Sequence, residues 1–280
     1  MAIFAAIFFM QSKFIIISCL TLLLARPMYA QYHELGLFAG GSNFAGDVGA
    51  NVPDLPRGYA GGLFYRLNFN RHWALRTQFN YGFIQASDKY ATNFFRQDRN
   101  FSFQSEIWEG NLMFEFNFLE FEPGTKLNHT PYLLGGVGLF WFEPKTEYQG
   151  ELVKLQPLGT EGQGTSLSDQ QPYGTASSFF GFGMGYKFAL SKKFSMGLEI
   201  TFRQTNTDYL DDVSGRYVDP VLLAEENGTL AGALSNRRVN PQAWVDRPRG
   251  DASANDWYIF TGLTMHYKLD SFYEKCARFF

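Results

Sequence analysis

The sequence predicts an all-β fold: an eight-stranded antiparallel transmembrane β-barrel of the outer-membrane type, with long extracellular loops. Three observations lead there. Polar and apolar residues alternate with period two over most of the chain, and convincing helical faces are scarce. Long and short connections between the candidate strands alternate strictly. In nearly every strand the bulky apolar residues share one face, while the other carries Glu, Arg, Lys, Asn and Gly.

The first thirty residues stand apart, with no acid and only two bases, Lys13 and Arg26. A basic start at Lys13, an apolar run from Phe14 to Ala25 and a small residue at Ala30 read as a secretory signal peptide, residues 1–30. Residues 31–280 are then the barrel domain, and Met10 is an alternative start to Met1. Two rival readings are a retained membrane anchor and, from "IISC" at Ile16 to Cys19, a lipoprotein cleavage box. The apolar run continues past Cys19, which speaks against the second. The leader holds two of the 24 bases and none of the 27 acids, so the remainder carries 22 bases against 27 acids. That balance gives no footing for nucleic acid. Cys276 is the one cysteine after the leader, so no disulfide framework is expected. Glycine (28) and phenylalanine (30) are abundant, which suits tightly turned, strongly curved sheet.

The strands follow in order. Tyr32 to Phe44 is the first, and Gly58 to Asn70 the second, with Leu63, Tyr65, Leu67 and Phe69 opposite Phe64, Arg66 and Asn68. The third sets Trp73, Leu75, Phe79, Tyr81 and Phe83 against Arg76, Gln78, Asn80 and Gly82. The fourth, about Phe101 to Phe118, sets Leu112, Phe114, Phe116 and Phe118 against Glu109, Asn111, Glu115 and Asn117. The fifth, "YLLGGVGLFWF", is apolar on both sides and gives no facing. The sixth (Ser178 to Leu190), seventh (Phe194 to Thr205) and eighth ("WYIFTGLTMHYKL") alternate cleanly again. Turns such as "NRH" and "SKK" mark the periplasmic end; the stretches 45–57, 86–100, 143–175 and 206–255 mark the other. An even strand count returns both termini to the short-turn end.

Eight strands enclose an interior just wide enough for side chains to fill. The expected polar plug is Glu34, Arg66, Arg76, Glu109, Glu115, Lys187, Glu199, Arg203, His266 and Lys268. Near-balance of acid and base is what buried charge requires. A conducting pore is the competing reading. Glycines at 135, 136, 138, 181, 183 and 185 are expected to leave room for long Arg and Lys side chains, or to serve curvature. A soluble sandwich or barrel is the alternative fold. Four histidines without a His-x-x-His or cysteine ligand pair argue against an ordinary zinc site. His266 stands away from the serines of the long loops, so no hydrolase triad is expected, and no cofactor.

The acid-rich stretch after strand seven places Asp208, Tyr209, Asp211, Asp212, Ser214, Gly215 and Tyr217 at the extracellular rim. Three readings stand: calcium held by Asp208, Asp211 and Asp212, an ordered turn capped by carboxylates, or contact with a partner protein. Arg237, Arg249 and Asp256 are candidate rim partners, and Trp244, Arg247 and Asp251 precede the last strand nearby. The loop from Val221 to Arg238 has room for a short helix through Leu222 to Glu226. The long loops carry apolar anchors and so read as a packed cap.

"TDYLDDVSGRY" at Thr207 to Tyr217, "LSNR" at Leu234 to Arg237, "NDWY" at Asn255 to Tyr258 and "YHELGLFAGGSNFAGDV" near the mature start carry a resemblance. Together they resemble a DUF6089-like outer-membrane barrel family of Bacteroidetes whose members include PorG of the type IX secretion system. The resemblance covers essentially the whole mature chain. It implies a non-enzymatic integral outer-membrane subunit that anchors or organises a periplasmic ring built with a lipoprotein. The alternative is a stand-alone barrel for adhesion, ligand contact or envelope maintenance. Outer-membrane lipid is the expected surrounding in either case. The surfaces offered to a periplasmic partner are Asn70 to His72, Leu119 to His129 and the tail "DSFYEKCARFF".

Overall fold

The computed structural model describes residues 32–49 and 56–269. The expected signal peptide and the C-terminal tail lie outside the described residues. Among the described residues nine strands form: β1 (Tyr32–Ala45), β2 (Gly58–Asn68), β3 (Trp73–Ser87), β4 (Ser102–Asn117), β5 (His129–Tyr148), β6 (Glu151–Lys154), β7 (Ala176–Ala189), β8 (Phe194–Thr205) and β9 (Trp257–Leu269). Every pairing is antiparallel, and β9 closes on β1 while β4 pairs with β5. Eight strands thus make a closed barrel of the outer-membrane type, and β6 is a short outgrowth paired only to the top of β5. Closure leaves the eight barrel strands no unpaired edge, as hydrocarbon surroundings demand.

The pleat sorts the residues. Leu35, Leu37, Leu63, Phe79, Phe114, Val137, Met184 and Leu198 all face outward and are exposed. Their strand neighbours Glu34, Arg66, Arg76, Glu115, Lys187 and Glu199 face inward and are buried. A monomeric protein in water does not display an apolar surface of this extent. The soluble alternative therefore fails on the distribution of side chains: the charge is inside and the hydrocarbon outside.

The fifth strand, unreadable in sequence, takes a definite facing. Leu133, Val137, Leu139 and Trp141 point out, whereas Tyr132, Leu134, Phe140 and Phe142 are buried. Its inner face is apolar because the upper lumen is filled by rings. Phe140, Phe179, Tyr258 and Phe260 pack there with centroids 5.4–6.1 Å apart. Of the glycines expected to leave room for Arg and Lys or to serve curvature, Gly138 and Gly185 make room for rings, while Gly136 and Gly183 lie against the backbone of the neighbouring strand. A β-carbon on Gly138 would enter the Phe179 ring, and one on Gly185 the ring of Tyr132.

Short turns form where side chains cap them. Asn70 Oδ1 accepts from the amides of His72 (2.8 Å) and Trp73 (2.9 Å). The segment between β4 and β5 folds across the mouth, burying Phe121, whose carbonyl accepts from Tyr32 Oη. At the other end, the expected loop 143–175 begins with a hairpin. β5 runs on to Tyr148 and turns through Gln149 (φ 53°) and Gly150 (φ 86°) into β6. Two successive positive φ values are the tight hairpin geometry. Among the described residues of the long loops lie three short α-helices: α1 (Phe94–Arg99), α2 (Pro220–Asn227) and α3 (Thr229–Ser235). α2 includes the expected 222–226 segment. Asp219 caps it by accepting from Val221 N (2.8 Å) and Leu222 N (3.3 Å), with Pro220 in the first turn.

Candidate functional site

The lumen contains two ionic layers. In the lower, near the short turns, Arg66 pairs with Glu34 (2.8 Å) and Glu115 (3.0 Å), and Lys187 with Glu115 (2.5 Å). Arg76 grips Glu199 through both guanidinium nitrogens (2.5 and 2.7 Å), and Tyr132 Oη donates to the same carboxylate (2.7 Å). Glu34, Glu115 and Glu199 thus face Arg66, Arg76 and Lys187, three against three. His266 accepts at Nδ1 from Arg66 and lies 2.8 Å from Thr264 Oγ1 at Nε2. It is sealed in this layer and out of reach of any substrate. In the upper layer Arg203 holds Glu109 by a fork (3.0 and 2.9 Å), and Tyr258, Asn80 and Asn111 donate to the same carboxylate.

Lys268 departs from its expected place in the lumen. It stands at the short-turn mouth, partly exposed, over the Tyr32 ring and 3.7 Å from Glu122. Its position near the end of β9 puts its long side chain within reach of water. The remaining charges match one for one, and rings seal the space between the layers: Arg76 lies 4.2 Å from the Phe64 centroid and Arg203 4.1 Å from that of Phe260. Along this axis charged and aromatic side chains are buried against one another, the arrangement of a plug.

The long loops form a cap built on two buried arginines. Arg99 pairs with Asp88 (2.7 Å) and donates to the carbonyls of Asp47 (2.7 Å) and Arg249 (2.9 Å). Asp88 also accepts from Gly49 N and Phe101 N. Arg249 pairs with Glu161 (3.0 Å), approaches Asp212 (3.6 Å) and donates to the Ser235 carbonyl (3.2 Å). Glu161 in turn accepts from the amides of Ser214 (2.8 Å) and Gly215 (2.9 Å). All four long loops are therefore cross-tied.

The acid-rich motif is internal to this cap. Asp211 accepts from Val48 N and Val213 N, and Asp212 from Thr160 Oγ1 (2.5 Å) and Tyr173 Oη (2.6 Å). Tyr209 stacks on Tyr173 at 4.5 Å, and Tyr217 is buried with its amide on the Arg247 carbonyl. Asp256 accepts from Leu210 N (3.0 Å). Of the three aspartates expected as calcium ligands, Asp211 and Asp212 serve separate partners, and Asp208 is buried with neither carboxylate oxygen hydrogen-bonded. Among the described residues no three His, Cys, Asp or Glu side chains gather as a metal would require. The aspartates of the motif, with Ser214 and Tyr217, are buried, while Tyr209 and Gly215 stay half-buried. Arg249 meets the acids as expected. Arg237 does not: it donates to Thr146 Oγ1 (2.7 Å) on β5. Asp251 likewise bonds locally to Ser253. Asp88, Arg99 and Glu161 were missed, since loop residues show no periodicity to mark them.

Crowding of acids in this cap moves their proton affinities. Burial pushes Asp208 up from 3.8 to about 7, assisted by the charges of Asp47, Glu161 and Asp251. Burial raises Asp212 to about 6 against the pull of Arg249. Burial and the neighbouring acids hold Asp211 and Asp256 well above the ordinary carboxylate range. A raised folded-state value means the folded cap holds protons that the open chain has released. Cap stability is therefore full at acid pH and falls as pH rises from the ordinary aspartate value through about 7. Hydrogen exchange over 206–256, corrected for intrinsic rates, is expected to show weaker protection at about pH 8 than at about pH 5. Asp208→Asn makes that dependence shallower; an unchanged slope would refute the assignment.

Several solved barrels are similar in fold. The crystal structure of Ail, the attachment invasion locus protein of Yersinia pestis, in complex with the heparin analogue sucrose octasulfate matches at 9% identity and a TM-score of 0.41, covering 86% of this chain and 100% of that one. Neisserial surface protein A matches at 10% identity and 0.37, covering 85% and 97%. The N-terminal barrel of Pseudomonas aeruginosa OprF matches at 9% and 0.36, covering 86% and 100%. At such scores the likeness carries no functional argument. No curated protein matches the chain. The family model described as a domain of unknown function, DUF6089, matches residues 12–219.

Proposed function

Because the chain belongs to the DUF6089 family, whose description assigns no activity, we propose a function from its own geometry: a non-enzymatic, non-conducting outer-membrane barrel that works by surface contact through its extracellular cap. The observation that carries this reading is the pairing of a filled lumen with four loops locked into one body. A filled lumen suits neither transport nor catalysis. A cap held by buried arginines presents a fixed outer surface, which lowers the ordering cost of binding.

A second reading makes the chain an anchoring subunit of the type IX secretion machinery. The sequence resemblance motivates it, and the ordered short-turn end supports it. There Arg71 pairs with Glu120 and Glu122 (3.1 Å each), and the 118–128 segment covers the mouth. Such a platform suits a periplasmic ring or lipoprotein.

One genetic experiment separates the readings. A deletion strain is complemented with the full chain or with a chain whose α2–α3 hairpin is replaced by a Gly/Ser linker. Surface attachment, envelope integrity and release of secreted cargo are then scored. The contact reading expects the hairpin variant to fail in attachment or integrity while cargo is released normally. Cargo retained in the deletion strain and restored by the hairpin variant would favour the secretion subunit instead. Full complementation by the hairpin variant in every assay sinks the contact reading.

A further inference from the structure

We propose that the β3–β4 loop seats on the outer-leaflet surface of the bilayer through Tyr90, Phe94 and Phe95, and so clamps the cap to the membrane. Apart from Arg57 over Tyr90, no stacking or cation–π contact ties these rings to a barrel or cap residue among the described residues. They are 61%, 74% and 64% exposed, while Phe101 of the same loop is buried. The exposure belongs to a pinned segment. Asp88, at the start of the turn that holds Tyr90, is locked by Arg99 and two backbone amides. Asn93 caps α1 by accepting from Phe95 N (2.8 Å), Gln97 ties back to the Ala91 carbonyl (2.7 Å), and Arg96 donates to the Gly49 carbonyl (2.9 Å). The rings are therefore held outward and cannot fold into the cap without breaking these ties.

What covers them is indicated by continuity with the lipid-facing wall. Directly beneath, on β2 to β4, runs an outward aromatic column: Trp108 against Tyr81 (4.7 Å), Tyr81 against Tyr59 (6.1 Å), and Tyr59 stacked on Phe83 (5.4 Å). Above it, Gln85 donates to the Arg57 carbonyl, and the Arg57 guanidinium lies over the Tyr90 ring at 5.0 Å. The aromatic column thus reaches Phe83, and the Gln85–Arg57 link carries it on to Tyr90 in the loop. Aromatic rings with cations beside them are the composition that settles at a membrane interface. Lys89, exposed next to Tyr90, adds positive charge where lipid phosphates lie. The occupant is the bilayer surface, and the arrangement limits tilting of the cap on the barrel.

The test uses single-cysteine chains, with Cys19 and Cys276 changed to serine and either Phe95→Cys or Tyr90→Cys introduced. Each carries an environment-sensitive fluorophore and is reconstituted into phospholipid bilayers. Val239→Cys, at a position 98% exposed elsewhere in the cap, is the aqueous control. Heat-modifiable migration confirms the folded barrel in each case. The expected result is a blue-shifted emission at positions 90 and 95, lost to a nitroxide on the lipid acyl chain and shielded from iodide, with the reverse at 239. Iodide quenching of 90 and 95 equal to that of 239 overturns the proposal. Shielding found in native outer membranes but absent in pure lipid also overturns it, because a protein would then be the cover.

Discussion

Glu115→Gln is expected to lower the stability of the barrel by about 3–5 kcal/mol, the size found when one member of a buried ionic cluster is removed. Glu115 lies between Lys187, Arg66 and Arg76 at 2.5, 3.0 and 3.8 Å, and all four side chains are buried. Glutamine keeps the shape and loses the charge. Three cations then face Glu34 and Glu199 alone, in surroundings that cannot hydrate the excess. The measurement is the shift of the denaturant midpoint for the barrel in lipid. Adding Lys187→Met to Glu115→Gln restores equal numbers, so the double variant should recover more than half of the loss. A double variant no better than the single one would show that packing rather than charge matching holds this layer. Arg71→Ala makes a useful contrast, because its partners Glu120 and Glu122 share an exposed turn. Screening by water leaves such a pair with little to contribute, and no change is expected.

The difference in how far these features could be read from sequence has a physical origin. Strands facing lipid on one side and charge on the other leave a period-two record, and β3 or β8 can be oriented from it residue by residue. β5 could not, because its upper half borders rings on one side and lipid on the other. Nothing in composition separates the two. The facing of Arg76 and Glu199 was legible, but their pairing was not, since they stand 123 residues apart and meet across the lumen. The β5–β6 turn escaped because Gln149-Gly150 lacks the Asn or Asp that usually marks such a hairpin. α1 escaped because six residues held by an Asn cap leave no helical face to detect. Cap chemistry was the least legible. Asp88, Arg99 and Glu161 act through loop backbone, where no repeat distance betrays a partner. Of the three readings of the acid-rich motif, the ordered turn capped by carboxylates comes nearest, since Asp211 and Asp212 are turned inward to amides and hydroxyls.

Arg249→Met is expected to open the cap while leaving the barrel intact. Arg249 is the cation that meets both Glu161 and Asp212, and it also bonds the Asp212 and Ser235 carbonyls. Without it, two acids stay buried beside Asp208, Asp211 and Asp256, and the amides of Ser214 and Gly215 are the chief remaining donors to Glu161. A loss of about 3–5 kcal/mol confined to the loops raises the open population on the order of a hundredfold or more. Proteolysis within 206–256 and hydrogen exchange of that segment read the opening. Heat-modifiable migration should be unchanged, since the lumen pairs are untouched. The defect also has a pH signature. Asp212 already takes up a proton near 6 with Arg249 present, and loss of the cation raises that value further. Protonation removes the uncompensated charge, so the cap of the variant should close again as pH falls to about 5 and open as it rises to about 8. Arg249→Lys keeps the charge without the fork and should fall between the two. A variant cap equally open at both pH values would mean that Arg249 acts by filling space, and the electrostatic account of the cap would have to be abandoned.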